Sequence, residues 1–147
     1  MSRIEFYINL PSSSEKLVTI ATNYEKFPLF FESQIKQVKI LEAKNDETIT
    51  EEILVFSTIF NHEILQKSIH KKINHNTLYT KIISGPFKGT VLEVIYEKKD
   101  VGTKVSINAD LKLDLKYKIL EPIIKKRYRT VLTGLLYKMN TMALQSD

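Results

Sequence analysis

At 147 residues the chain is long enough for one domain with its own core, and a hydrophobic share of 43% sets it apart from disordered chains. It has no cysteine, which excludes disulfides, thiolate catalysis and cysteine-held metals and fits a reducing compartment. The formal charge of +5 leaves two readings of the surplus lysines and arginines: a solvated face, or contact with an acidic surface such as anionic lipid or RNA.

Residues 2–9 alternate, with Ile4, Phe6 and Ile8 opposite Arg3, Glu5 and Tyr7, and predict a half-buried strand ended by Pro11. Ser12 with Glu15 fits a capping box and predicts a helix to about Thr22 that buries Leu17, Val18, Ile20 and Ala21. A second short helix is expected over residues 24–31, with Pro28 in its first turn or at a kink. The period then changes to two. Strands are predicted at 34–44, 48–60, 63–73, 77–84, 88–97 and 103–113, separated by turn chemistry such as Asn45-Asp46-Glu47, Asn74-His75-Asn76 and Gly85-Pro86. Connections this short exclude parallel crossovers, so the strands form an antiparallel meander, and the first strand makes seven. From Leu115 to about Leu144 the spacing returns to three and four through Leu120, Ile124, Tyr128, Val131, Leu135, Met139 and Met142. Pro122 places the start of the regular helix near itself, giving roughly 22 residues and about 33 Å. There is no repeat or linker, so residues 1–147 are expected to form a single domain. No run of about 20 apolar residues exists to span a membrane, and Met1-Ser2-Arg3-Ile4-Glu5 lacks the apolar stretch of a signal peptide. The expected setting is the cytoplasm.

A long amphipathic helix beside a seven-stranded sheet must lie across the sheet's apolar face, and a curled sheet leaves room for a cavity beneath it. Alternation supplies the inward residues: Val105, Ile107, Ala109 and Leu111 on the last strand, and Thr90, Leu92, Val94 and Tyr96 on the one before. Leu54 and Phe56 share a face with Thr50 and Glu52. All of these residues also suit a solid core.

The usual signatures of chemistry are missing. His62 and His70 would lie about 26 Å apart on an extended strand, too far to share a metal. The four glycines are scattered, so no phosphate or dinucleotide loop forms, and no cofactor is expected. Glu51, Glu52 and Glu93 fall within strands. A carboxyl pointing into an apolar cavity would serve as an acid or base, but the preferred reading puts these glutamates on the solvent face, paired with lysines.

Several segments resemble one family. Asn23-Tyr24-Glu25-Lys26-Phe27-Pro28-Leu29-Phe30-Phe31, followed by Ile35, Val38 and Ile40, resembles the D-x-E-x-Y-P-x-F-x-P…V…V-x-V stretch of START-like (SRPBCC, helix-grip) proteins. Gly85-Pro86-Phe87-Lys88 is similar to the turn before their fifth meander strand, and Gly102-Thr103-Lys104-Val105 to the start of their last. The branch most similar is the coenzyme-Q-binding and polyketide cyclase/dehydrase group, although Leu92 and Val94 stand where Gly and Trp are common and Asn23 replaces Asp. The resemblance implies an α+β helix-grip fold: a seven-stranded curved antiparallel sheet, two short helices after the first strand, and a long C-terminal helix across the sheet. It also implies a lipid-like or polycyclic ligand held between sheet and helix, in a fold that hosts both binders and enzymes; the first hypothesis is a protein that binds and carries a lipid, isoprenoid or quinone-like molecule without chemistry.

On this reading Leu54, Phe56, Leu92, Val94, Leu132, Leu135 and Met139 form the apolar wall, and Thr90, Tyr96 and Tyr128 offer hydroxyls to the ligand head. Phe27, Phe30 and Phe31 gate the mouth or plug the sheet's end. One alternative is a cyclase or dehydratase, which requires Glu52 or Glu93 inside the cavity. Another is a ribosome- or RNA-contacting regulator. It would use the basic cluster Lys116, Lys118, Lys125, Lys126, Arg127 and Arg129, of which Lys125, Lys126 and Arg129 are equally placed for an anionic membrane.

Overall fold

A computed structural model describes residues 2–30, 34–55 and 62–145. β1 (Ser2–Leu10) is followed by α1 (Ser14–Ala21) and a short 3-10 helix (Tyr24–Leu29). Six strands come next: β2 (Ile35–Lys44), β3 (Glu47–Leu54), β4 (Ile64–Asn74), β5 (Thr77–Ile82), β6 (Val91–Lys98) and β7 (Thr103–Leu111). A second 3-10 helix (Leu115–Leu120) leads into α2 (Glu121–Gln145), which is 25 residues long. The sheet order is β1-β7-β6-β5-β4-β3-β2 and every pairing is antiparallel, so the meander returns its last strand beside the first.

The alternation explains the faces. Ile4 and Leu10 on β1, and Val105, Ile107, Ala109 and Leu111 on β7, are buried, whereas Arg3, Glu5 and Tyr7 face water. Register breaks at Ile35/Gln37 and Ile40/Glu42 in β2, and at Lys72/Asn74 in β4, insert extra residues that bend and twist the strands. The sheet curls accordingly, and α2 crosses its concave side.

Three local expectations are corrected. The cap of α1 is Ser13, which accepts from the Lys16 N–H at 3.3 Å, and not Ser12. Ser12 is buried instead against α2: its hydroxyl donates to Asn140 Oδ1 at 2.6 Å, and its N–H reaches the same oxygen at 3.2 Å. Its carbonyl accepts from Thr103 Oγ1 at 2.7 Å, so one residue ties α2 and β7 to the end of β1. The second short helix is 3-10, with Pro28 near its end; proline has no N–H to donate, and the tighter helix stops within two residues. Finally, β6 begins at Val91 and not at Lys88, because Gly85-Pro86-Phe87-Lys88-Gly89 forms a turn, with Gly85 and Gly89 at positive φ.

The core is in two parts. One cluster joins α1 (Leu17, Val18, Ala21) to Val94 and Tyr96 of β6 and to Leu136, Met139 and Ala143 of α2. The other gathers Leu54, Ile64, Ile82, Phe87, Leu111, Leu113 and Ile124 around the start of α2.

Candidate functional site: a cavity with a polar floor

A partly open cavity of about 140 Å³ is lined by residues of both clusters and their borders. That is the scale of an engineered apolar cavity of about 150 Å³ that holds benzene. The α2 side is apolar apart from Arg127. Ile124, Tyr128, Val131, Leu132 and Leu135 recur at three- and four-residue steps, so one helical face lies over the cavity. Phe87 and Leu92 extend this wall, and the Phe87 ring lies 5.8 Å from that of Tyr128.

The sheet side differs. Strand pairing sets Thr50 opposite Ser68, Glu52 opposite Gln66 and His70 opposite Thr80, and all six line the cavity. The inward parity of β3, β4 and β5 thus forms a polar floor. His70 is held at both ring nitrogens, with Nε2 2.8 Å from Thr50 Oγ1 and Nδ1 2.8 Å from Thr80 Oγ1. The Tyr24 ring stacks on it at 4.2 Å, so the 3-10 helix closes this side. Burial lowers the His70 pKa to about 4, and the ring is neutral at pH 7.

Glu52 has the opposite problem. It is only 7% exposed, and burial raises its pKa to about 7. The Ser68 and Thr50 hydroxyls beside the carboxyl pull the other way, but neither closes on Oε2. Glu52 Oε2, Gln66 Oε1 and Ser68 Oγ are all buried and have no hydrogen-bond partner among the described residues. Across from them, Tyr128 is pushed up to about 12 by burial and then by the Glu52 charge, so its hydroxyl remains a donor.

The expected site residues divide. Leu54, Leu92, Tyr128, Leu132, Leu135 and Phe27 line the cavity. Val94, Tyr96, Met139 and Phe30 are packed in the cluster under α1 and do not line it. Thr90 is buried, and its hydroxyl is committed to Lys112, donating to the carbonyl at 3.1 Å and accepting from the N–H at 3.0 Å. Phe31 and Phe56 lie outside the described residues.

The expectation that the strand glutamates lie on the solvent face paired with lysines is met by Glu51, which stands between Lys39 and Lys67; Glu93 is half-buried on the outer face between Tyr79 and Asn108, and Glu52 faces inward. Glu52 shares its parity with Thr50 and Leu54, and all three line the cavity beneath α2. Sequence reasoning also missed Tyr24, Thr50, Gln66, Ser68 and His70. The available signal was on β4, where uncharged Gln66, Ser68 and His70 alternate with Lys67 and Lys71.

No family model and no curated protein matches the sequence. Solved structures do match it in shape. TTHA0849 of Thermus thermophilus superposes with a TM-score of 0.83 at 12% identity, over 98% of each chain. A START superfamily protein of Mycobacterium smegmatis gives 0.79 at 16%, over 97% of each chain. The aromatase/cyclase Zhui of a Streptomyces species gives 0.77 at 10%, over 94% of this chain and 93% of that one. Identities this low make the likeness one of fold, and the seven-stranded curved sheet under a long C-terminal helix is the START-like, helix-grip fold.

Proposed function

We propose that the protein binds a small hydrophobic molecule with a hydrogen-bonding head, about the size of one substituted ring, between the sheet and α2. The observation that carries this reading is the trio of unpartnered buried atoms, Glu52 Oε2, Gln66 Oε1 and Ser68 Oγ, on the polar floor of a cavity whose opposite wall is mainly apolar. Each such atom left unpaired costs about 1–3 kcal/mol, so three together call for a partner that brings its own polar groups. A phenol or hydroquinone ring meets both demands: its faces suit Leu92, Leu132 and Leu135, its hydroxyl can donate to Gln66 Oε1 or Glu52 Oε2, and its oxygen can accept from the Tyr128 hydroxyl, whereas a quinone would only accept, from Tyr128 and Ser68. An isoprenoid or acyl chain on such a ring would leave through the open side, which accommodates the role of carrier.

The test is calorimetric titration with a panel of alkylphenols and alkylbenzoquinones. At least one phenol is expected to bind, and Gln66→Leu is expected to weaken it about tenfold, the worth of one lost hydrogen bond from its hydroxyl. The same substitution removes an unpartnered buried oxygen, so thermal stability should hold. A panel that fails entirely, or binding indifferent to Gln66→Leu, would refute the reading.

A second reading is favoured by Glu52 itself. A buried carboxyl with a pKa of about 7 is suited to take a proton from carbon beside a ligand carbonyl and return it, with the Tyr128 hydroxyl donating to the enolate oxygen. One solved structure of this fold is an aromatase/cyclase. Under this reading a bound ketone exchanges its α-hydrogens with D2O in the wild type and not in Glu52→Gln. Exchange that survives the substitution excludes it.

A further inference from the structure

The second 3-10 helix and the first turns of α2 present an unusual surface. Tyr117, Leu120, Ile124 and Tyr128 turn inward to the core and cavity. On the outward side, Leu115 is 87% exposed, Ile119 88% and Ile123 62%. Interleaved with them in the sequence are Lys116, Lys118, Lys125, Lys126, Arg127 and Arg129, of which Arg127 also lines the cavity. Residues 115–129 hold these six cations against one acid, Glu121. The rest of the chain then has sixteen of each sign, so this one segment carries the entire net charge of +5.

Among the described residues, Lys118, Lys125 and Lys126 make no ion pair, while Lys116 and Arg129 lie over the Tyr117 and Phe6 rings. The cations crowd the N-terminal end of a helix, whose dipole favours negative charge. The exposed aliphatic side chains gain nothing from water. A polyanion such as RNA would satisfy the lysines and leave Leu115, Ile119 and Ile123 idle, since single strands are held by aromatic stacking as well as charge. An anionic bilayer satisfies both. Aliphatic side chains enter the headgroup–acyl boundary while lysines remain among the phosphates.

We propose that this segment docks the protein onto anionic lipid membranes, with Leu115, Ile119 and Ile123 inserted at the interface and Lys118, Lys125 and Lys126 on the headgroups. The inner side of the same segment lines the cavity, so a docked protein holds the cavity next to lipid. The docking does not depend on what the cavity binds.

Co-flotation with phosphatidylcholine vesicles, with and without phosphatidylglycerol, tests it. The wild type is expected to float only with the anionic vesicles. The triple variant Lys118→Gln, Lys125→Gln, Lys126→Gln is expected to lose about a hundredfold in affinity. The pair Leu115→Ser and Ile119→Ser is expected to lose about tenfold or more. All these positions are exposed, and thermal melting should confirm unchanged folding. Absence of binding to anionic vesicles overturns the proposal. So does binding unaffected by the Leu115→Ser, Ile119→Ser pair, which would leave a purely electrostatic surface and make RNA the partner to try.

Discussion

Glu52→Gln should gain about 3 kcal/mol of stability relative to the wild type between pH 4 and pH 8, measured by urea unfolding across that range. The carboxyl titrates near 7 in the folded protein, against 4.5 as its ordinary value, so the folded state holds the proton more tightly than the unfolded chain does. The stability this lends is fully present below about pH 4.5 and is lost as pH rises through 7. Glutamine keeps the neutral form at every pH and shows no such loss. His70 acts in the opposite sense and in both proteins alike. Its pKa falls from 6.5 to about 4, so the unfolded chain takes up a proton below pH 6.5 that the folded state refuses, and stability declines as pH falls toward 4. The difference between the two proteins cancels the histidine and isolates Glu52. Parallel curves would mean that Glu52 is solvated, and the polar floor would lose its central member.

The same substitution at two glycines should act with opposite signs. Gly102→Ala is expected to cost about 3 kcal/mol or more. Gly102 sits at φ +76, and a β-carbon there would strike the Leu10 carbonyl oxygen and the Pro11 Cα, backbone atoms that cannot swing aside. The close approach lets the β6–β7 turn pass under the end of β1 and brings Thr103 to the Ser12 carbonyl. Gly134→Ala should instead stabilise by about 1 kcal/mol. It lies exposed in the middle of α2, with open space where the β-carbon would go, and alanine is the better helix former. Denaturant midpoints of the two variants check both signs. Equal losses at both positions would contradict the turn geometry.

The legible parts of this protein were those governed by period. Alternation on β1 and β7 sorted core from surface, and short turns forced the antiparallel meander. The three- and four-residue steps from Leu120 to Met142 marked the apolar face of α2. Gly102-Thr103-Lys104-Val105 marked the tight turn at the start of β7.

The cavity was not legible in the same way. Alternation tells which face a residue occupies; it does not tell whether that face meets packed atoms or a void. Leu92 and Val94 have the same parity on β6, yet Leu92 lines the cavity and Val94 is packed in the cluster that includes α1. Where α1 and α2 cross the sheet decides between them, and that is a tertiary fact. Glu52 was misread for a related reason. A charged residue in a strand is most often solvated, and only the pairing of β3 with β4 sets it among Gln66, Thr50 and Ser68.

The central claim is that the cavity between α2 and the polar floor holds a small hydrophobic molecule, and native mass spectrometry of the purified protein tests it most directly. The account predicts one bound molecule per chain, either carried through purification or taken up from the phenol and quinone panel. It also predicts loss of that molecule in Leu135→Trp, whose indole would occupy the space. A protein that remains bare against the whole panel, or a molecule retained equally by Leu135→Trp, would contradict it.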